Sequence, residues 1–186
     1  MSDGQPLLSD STSSDGPSSS NLNDKLQQLG KIGEISHFPQ LVENVASLYL
    51  ENDCADILLK VEGSVFPAHR VILGARSEYF RALLYNGMKE TKDTEIELVD
   101  TSSLAFTHLL KYIYTGKMSL SSLKEDFILD VLGLAHKYGF SELQQSISEY
   151  LKAVLDVCNV CDIYGAAYLF SLTPLCEFCL NFADKN

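Results

Sequence analysis

The sequence predicts an α+β fold, a small sheet with helices clustered on it, followed by an all-α segment. Three observations predict it. Residues 56–85 read in order as strand, turn, strand, helix, helix; Glu95 to Val99 alternates as a further strand; and from residue 101 onward apolar residues recur at helical spacing between glycine stops.

Residues 1–30 are expected to be a disordered tail. The first twenty residues hold eight serines, and no Phe or Tyr precedes Phe38, so little apolar surface is available to offset ordering entropy. Asp24 to Leu29 can form a fraying helical turn, and Gly30 and Gly33 bracket a short extended piece, Lys31 to Ser36. After Pro39, Leu41, Val45 and Leu48 recur at helical spacing with Tyr49 beside them, which predicts an amphipathic helix ending near Asn52. Ala55 to Val61 reads as a buried strand, and Glu62-Gly63-Ser64 as a turn into a short strand at Val65-Phe66, closing a hairpin.

His69 to Ala75 is expected to be a short helix, and Ser77 the N-cap of the next, Glu78 to Tyr85, which stops at Asn86-Gly87. After the third strand, Asp100 or Thr101 is placed to cap a helix carrying Phe106, Leu109, Leu110 and Ile113 on one face, ended by Gly116. Met118 to Leu120 reads as an edge strand. Phe127 to Tyr138 and Ser141 to Leu155 form a helix pair joined at Gly139. Two more helices follow from Asn159, broken at Ser171 to Pro174, with Pro174 in the first turn of the second.

Charge and composition exclude several functions. With 14 basic and 25 acidic residues the net charge is -11, and the basic residues are scattered, which argues against a nucleic-acid surface. Neither an apolar run of membrane-spanning length nor a secretory leader is visible, so the expected compartment is the cytoplasm, with the nucleus open. The five cysteines are then expected to be reduced thiols. No phosphate loop, nucleophile elbow or acid/base carboxylate pair appears, and the chain is read as non-enzymatic, without cofactor. His37, His69, His108 and His136 share no triad or metal spacing. The serine-rich tail offers sites for phosphorylation.

Six spaced elements carry a family resemblance: Asp56 in the first core strand, Phe66-Pro67-Ala68-His69-Arg70, Ala75-Arg76-Ser77-x-Tyr79-Phe80, Gly87-Met88-x-Glu90, Tyr112-Ile113-Tyr114-Thr115-Gly116 and Ala135-His136-Lys137-Tyr138. In this order they closely resemble the BTB/POZ domain, a protein-interaction fold. The match runs from about Ile35 to Leu155, which sets a domain at 31–155, and residues 156–186 resemble the opening helices of a BACK domain. The branch it resembles most continues through a full BACK domain to discoidin-like modules, so a chain ending at Asn186 is expected to be a short isoform or a fragment.

The resemblance implies a homodimer. Its interface would use Ile35, on a strand exchanged between copies and received by Met118 to Leu120, and Leu41, Val45 and Leu48 on the first helix. Asp56 and Arg70 match the acidic and basic positions that family members place near this interface, and an intramolecular ion pair is the alternative. The resemblance also implies an adaptor that recruits substrates to cullin-3 RING ubiquitin ligases, with Met88 inserting into the cullin and Glu90 ordering its loop or capping a helix. Tyr85, Tyr114 and Tyr138 are candidates for the same surface, with core or dimer packing as the alternative for aromatic residues at helix ends. Asn159 to Phe170 would widen that contact. The substrate would be held by modules beyond this chain.

Two other readings stand beside it. One is a BTB dimer that scaffolds another assembly without cullin. The other is a zinc-binding or redox protein, because Cys158 and Cys161 form one Cys-x2-Cys pair and Cys176 and Cys179 a second, fourteen residues on. Against zinc, both pairs lie in helical patterns among apolar residues, which suits small buried thiols.

Overall fold

The computed structural model describes residues 35–86 and 93–185. The chain divides into two units, 1–38 and 39–186, and of the first only residues 35–38 are described.

The sheet grows from the strand β1, Ile57–Val61, whose Ile57, Leu59 and Val61 enter the core while Leu58 and Lys60 take the other face. Glu62 and Gly63 both have positive φ, 47° and 79°, which suits the type I′ turn that matches strand twist. That turn sets the register of β2, Ser64–Ala68, with Val61 opposite Ser64 and Ile57 opposite Ala68. β2 is longer than the expected Val65-Phe66 and includes Pro67, which is tolerated because β2 is an edge strand. The third strand, β3, Glu95–Glu97, runs parallel to β1 on its other side, so the order is β2-β1-β3.

The helices, in chain order, are α1 Phe38–Ala46, α2 Arg70–Arg76, α3 Glu78–Tyr85, α4 Ser103–Thr115, α5 Glu125–Lys137, α6 Ser141–Ala153, α7 Val160–Leu169 and α8 Thr173–Ala183. Ser77 caps α3 as expected: its hydroxyl oxygen accepts from the Phe80 N–H at 3.2 Å, and its proton goes to the Tyr138 carbonyl at 2.7 Å. The core fills the space between one face of the sheet (Leu59, Val61, Ile96) and α3 to α6, with Phe80, Phe106, Leu109, Leu110, Leu132, Tyr138 and Ile147 fully buried. α7 and α8 pack on each other, α7 against α5 and α8 against α6, and Ile163, Ala167, Leu175 and Cys179 extend the same core.

Four expectations are corrected. The first helix ends at Ala46, not near Asn52, and Leu48 and Tyr49 follow in turns, half-buried against the core. The cap of α4 is Ser102, whose hydroxyl accepts from the Ala105 N–H, rather than Asp100 or Thr101. Asp100 takes a positive φ of 50°, outside the extended conformation of an N-cap, and the Thr101 hydroxyl is engaged by Tyr138 at 2.6 Å. The third strand stops at Glu97. Met118 to Leu120 forms no strand, because among the described residues no second strand lies beside it to complete a ladder.

Candidate docking surface

Met88 and Glu90 lie outside the described residues, as do residues 1–34, and the described part of the surface is what flanks the 87–92 segment. On its N-terminal side α3 presents Tyr79 and Tyr85, and on its C-terminal side the chain re-enters at Asp93 and runs along β3. A groove of about 260 Å³ lies between them, walled by Tyr79, Leu83, Asp93, Glu95 and Val99, with Lys137 at its rim.

Tyr85 is half exposed and fits the expected surface position. Its ring lies over Gly74, where an added Cβ would come within 2.9 Å of Tyr85 Cε2, so glycine is what lets α2 and α3 approach there. Tyr114 lies away from this surface, and Tyr138 borders the groove only from beneath, as a buried ring. Tyr114 is 3% exposed: its oxygen accepts the His69 main-chain N–H at 3.0 Å and lies 2.8 Å from His69 Nδ1. Tyr138 is fully buried, stacked on Phe80 at 5.1 Å, with its hydroxyl on Thr101. Burial pushes both phenols up to about 12. Each hydroxyl found an interior partner, and the rings then did more for the core than they could on a wet surface.

Lys137 was not among the expected site residues. Its ammonium donates to the Val99 carbonyl at 2.5 Å, the Asp100 carbonyl at 3.0 Å and Thr101 Oγ1 at 3.1 Å, fixing the strand-to-helix link beside the groove. Tyr79, Leu83, Glu95 and Glu97 were also missed as surface residues; the Glu-Ile-Glu alternation was visible, but not that it borders a groove.

The expected dimer residues are dispersed. Leu41 is 60% exposed, Val45 and Leu48 are half-buried, and α1 has no fully buried residue, so its apolar stripe is largely uncovered. Ile35 is exposed, and Met118 is half-buried against the core. Asp56 and Arg70 do meet, but through the main chain: Asp56 Oδ1 accepts the Arg70 N–H at 2.8 Å at the start of α2, where a carboxylate suits the helix dipole. The Arg70 guanidinium reaches instead to the Leu84 carbonyl at 3.5 Å and to the Asp93 carbonyl, tying α3 to the chain leaving the 87–92 segment.

The cysteines separate. Cys158 and Cys161 are exposed, Cys176 is half-buried and Cys179 is buried, its thiol pushed up by burial. Among the described residues no three His, Cys, Asp or Glu side chains gather as metal ligands. No helix among them is long and apolar enough to cross a membrane. Of the histidines, His69 is buried and hydrogen-bonded, while His108 rests on Phe127 and His136 on Phe170.

Comparison with known proteins agrees with this architecture. The chain is 49% identical to BTB/POZ domain-containing protein 9 of Homo sapiens over 162 residues, covering 87% of this chain and 26% of that protein. It is 33% identical over 142 residues to Kelch-like protein 26 of Homo sapiens, covering 76% of this chain and 23% of the relative. It thus spans about a quarter of the length of these relatives. The solved BTB domain of human gigaxonin superposes with a TM-score of 0.53 at 27% identity, over 63% of this chain and 96% of that one. The profile of the BTB/POZ domain family matches residues 46–155, from the end of α1 to just past α6, and the chain therefore belongs to the BTB/POZ family of protein-interaction domains.

Proposed function

We propose that this chain is a non-catalytic, homodimeric adaptor that docks cullin-3, acting as the ligase-facing part of a substrate-recruiting subunit. The observation that carries the dimer is α1, an amphipathic helix whose Leu41 stripe stays in solvent within one copy. Covering it against a twofold-related copy removes apolar area from water at about 25 cal/mol per Å².

The docking site is proposed at the loop holding Met88 and Glu90, with Tyr85 and the groove beside β3 as its described surroundings. An unbranched Met suits insertion into an irregular partner pocket. What supports this reading is membership of the BTB/POZ family together with Kelch-like relatives, and the exposed tyrosine and groove at the exit of α3. Residues 156–186, folded as α7 and α8, are proposed as the opening of a BACK segment that broadens the contact. The mechanism is effective concentration: cullin held here and a substrate held by modules outside this chain bring a ligase-bound ubiquitin near a target lysine.

The test is calorimetric titration of a cullin-3 N-terminal domain onto the chain and onto the Met88→Ala, Glu90→Ala double variant. Binding weakened by more than about 2 kcal/mol in the variant supports the site. A folded, dimeric chain that takes up no cullin-3 moves the function to cullin-independent scaffolding.

A further inference from the structure

β3 is an outer strand, and its pairing fixes which of its main-chain groups face out. The Thr94 carbonyl accepts the Leu58 N–H and the Leu98 N–H donates to the Lys60 carbonyl, both at 2.8 Å. In a parallel ladder alternate residues serve the neighbouring strand, so Ile96 faces β1 while Glu95 and Glu97 aim their N–H and C=O groups away from it. Among the described residues these outward groups have no main-chain partner.

The side chains decide what could pair there. Glu95 and Glu97 project on the solvated face with Asp93 close by in sequence, and Ile96 is buried on the other. Lys60 contacts Glu95 at 2.5 Å, but both groups are nearly half exposed, so this pair neutralises the edge weakly. Two copies joined antiparallel through β3 would set carboxylate against carboxylate, which opposes self-pairing. The groove alongside offers Tyr79, Leu83 and Val99 to an apolar side chain, and Lys137, the cation on its wall, is already held by the Val99 and Asp100 carbonyls.

We propose that the β3 edge accepts an extended segment of a partner protein in which a cation, an apolar residue and a second cation follow one another. The cations lie across from Glu95 and Glu97, and the apolar residue between them enters the groove on the Ile96 side. Main-chain bonds to Glu95 and Glu97 supply the pairing, and the alternation supplies the selectivity. The inference uses no residue of the 87–92 segment; it shares the groove beside β3 with the cullin reading but needs no cullin, and its test is run without one.

The probe is an acetylated, amidated Thr-Lys-Val-Lys-Thr peptide, with two versions N-methylated at alternate residues in the two registers, titrated onto the full chain. We expect hydrogen exchange at the Glu95 and Glu97 amides to slow by about tenfold, one N-methylated version to lose binding while the other keeps it, and E95K/E97K to weaken binding by about tenfold or more. Three results would overturn the proposal: no binding to the wild type, equal binding of both N-methylated peptides, which means charge attraction alone, or Glu95 and Glu97 amides already protected in a self-associated free chain.

Discussion

Replacing Tyr114 with Phe tests whether the centre of this fold is held by one phenol. The Tyr114 oxygen accepts the His69 main-chain N–H at 3.0 Å, and its own proton is directed to His69 Nδ1 at 2.8 Å. The opposite ring nitrogen, Nε2, lies 3.3 Å from the Asp53 carbonyl, which fixes the tautomer with the proton on Nε2. His69 is 5% exposed and Tyr114 3%, so no bulk water stands ready to replace the hydroxyl. Tyr114→Phe keeps the ring and its packing but orphans one main-chain donor and one imidazole acceptor. A buried orphan costs about 1–3 kcal/mol, so a loss of about 2–4 kcal/mol is expected, a large share of the stability of an ordinary domain. Urea unfolding followed by far-ultraviolet circular dichroism measures it, with a lower midpoint and an unchanged slope. A midpoint within about 0.5 kcal/mol of wild type would refute the reasoning, since it would mean that the two groups find other partners.

The remaining expectations concern the surface, the tail and alkaline pH. Leu41→Asp sets a charge in the exposed stripe of α1 and, on the proposed dimer, is expected to shift the chain to monomer in sedimentation, leaving its circular dichroism intact. Phe170→Ala removes the ring that lies against His136 and Gly133, and should cost about 1–2 kcal/mol and speed proteolysis between α6 and α7 before the rest of the domain is cut. The phenols of Tyr114 and Tyr138 are raised from 10 to about 12, so their contribution is fully present below pH 10 and is lost as pH rises through about 12. Tyr138→Phe should flatten part of that alkaline fall in thermal melts, and a curve that overlays wild type would contradict it.

Local signals in the sequence were reliable where local chemistry decides the outcome. Ser77 ahead of an apolar run became the cap of α3, Gly116 and Gly139 took the left-handed conformations at which α4 ends and α5 turns into α6, and Pro174 opened α8. Where a distant partner decides, residue type was not enough. Thr101 left the cap of α4 because Tyr138 and Lys137 claim its hydroxyl, and Asp56 serves the N–H of Arg70 in place of its guanidinium. The extended chain at Met118 to Leu120 was legible, but a ladder needs a second strand. Tyr114 and Tyr138 illustrate the same gap at the candidate site: an amphipathic ring reads equally as surface or core until the group that satisfies its hydroxyl is known. The groove beside β3 arises from α3, β3 and the end of α5 meeting, and no pattern along the chain announces that meeting.

The parallel pairing of β3 with β1 also governs when this protein becomes safe from misassembly during its synthesis. The β1–β2 hairpin closes through a two-residue turn and needs nothing downstream. The other side of β1, a stretch reading Ile57-Leu58-Leu59-Lys60-Val61, stays bare until Ile96 has emerged and the intervening α2 and α3 have been drawn back across the sheet. Closing so long a connection is slow compared with a hairpin. A nascent chain whose emerged part ends between residues 70 and 95 therefore exposes an apolar, β-prone edge, and quality-control factors that screen ribosome-bound chains would meet this one at its stickiest in that interval.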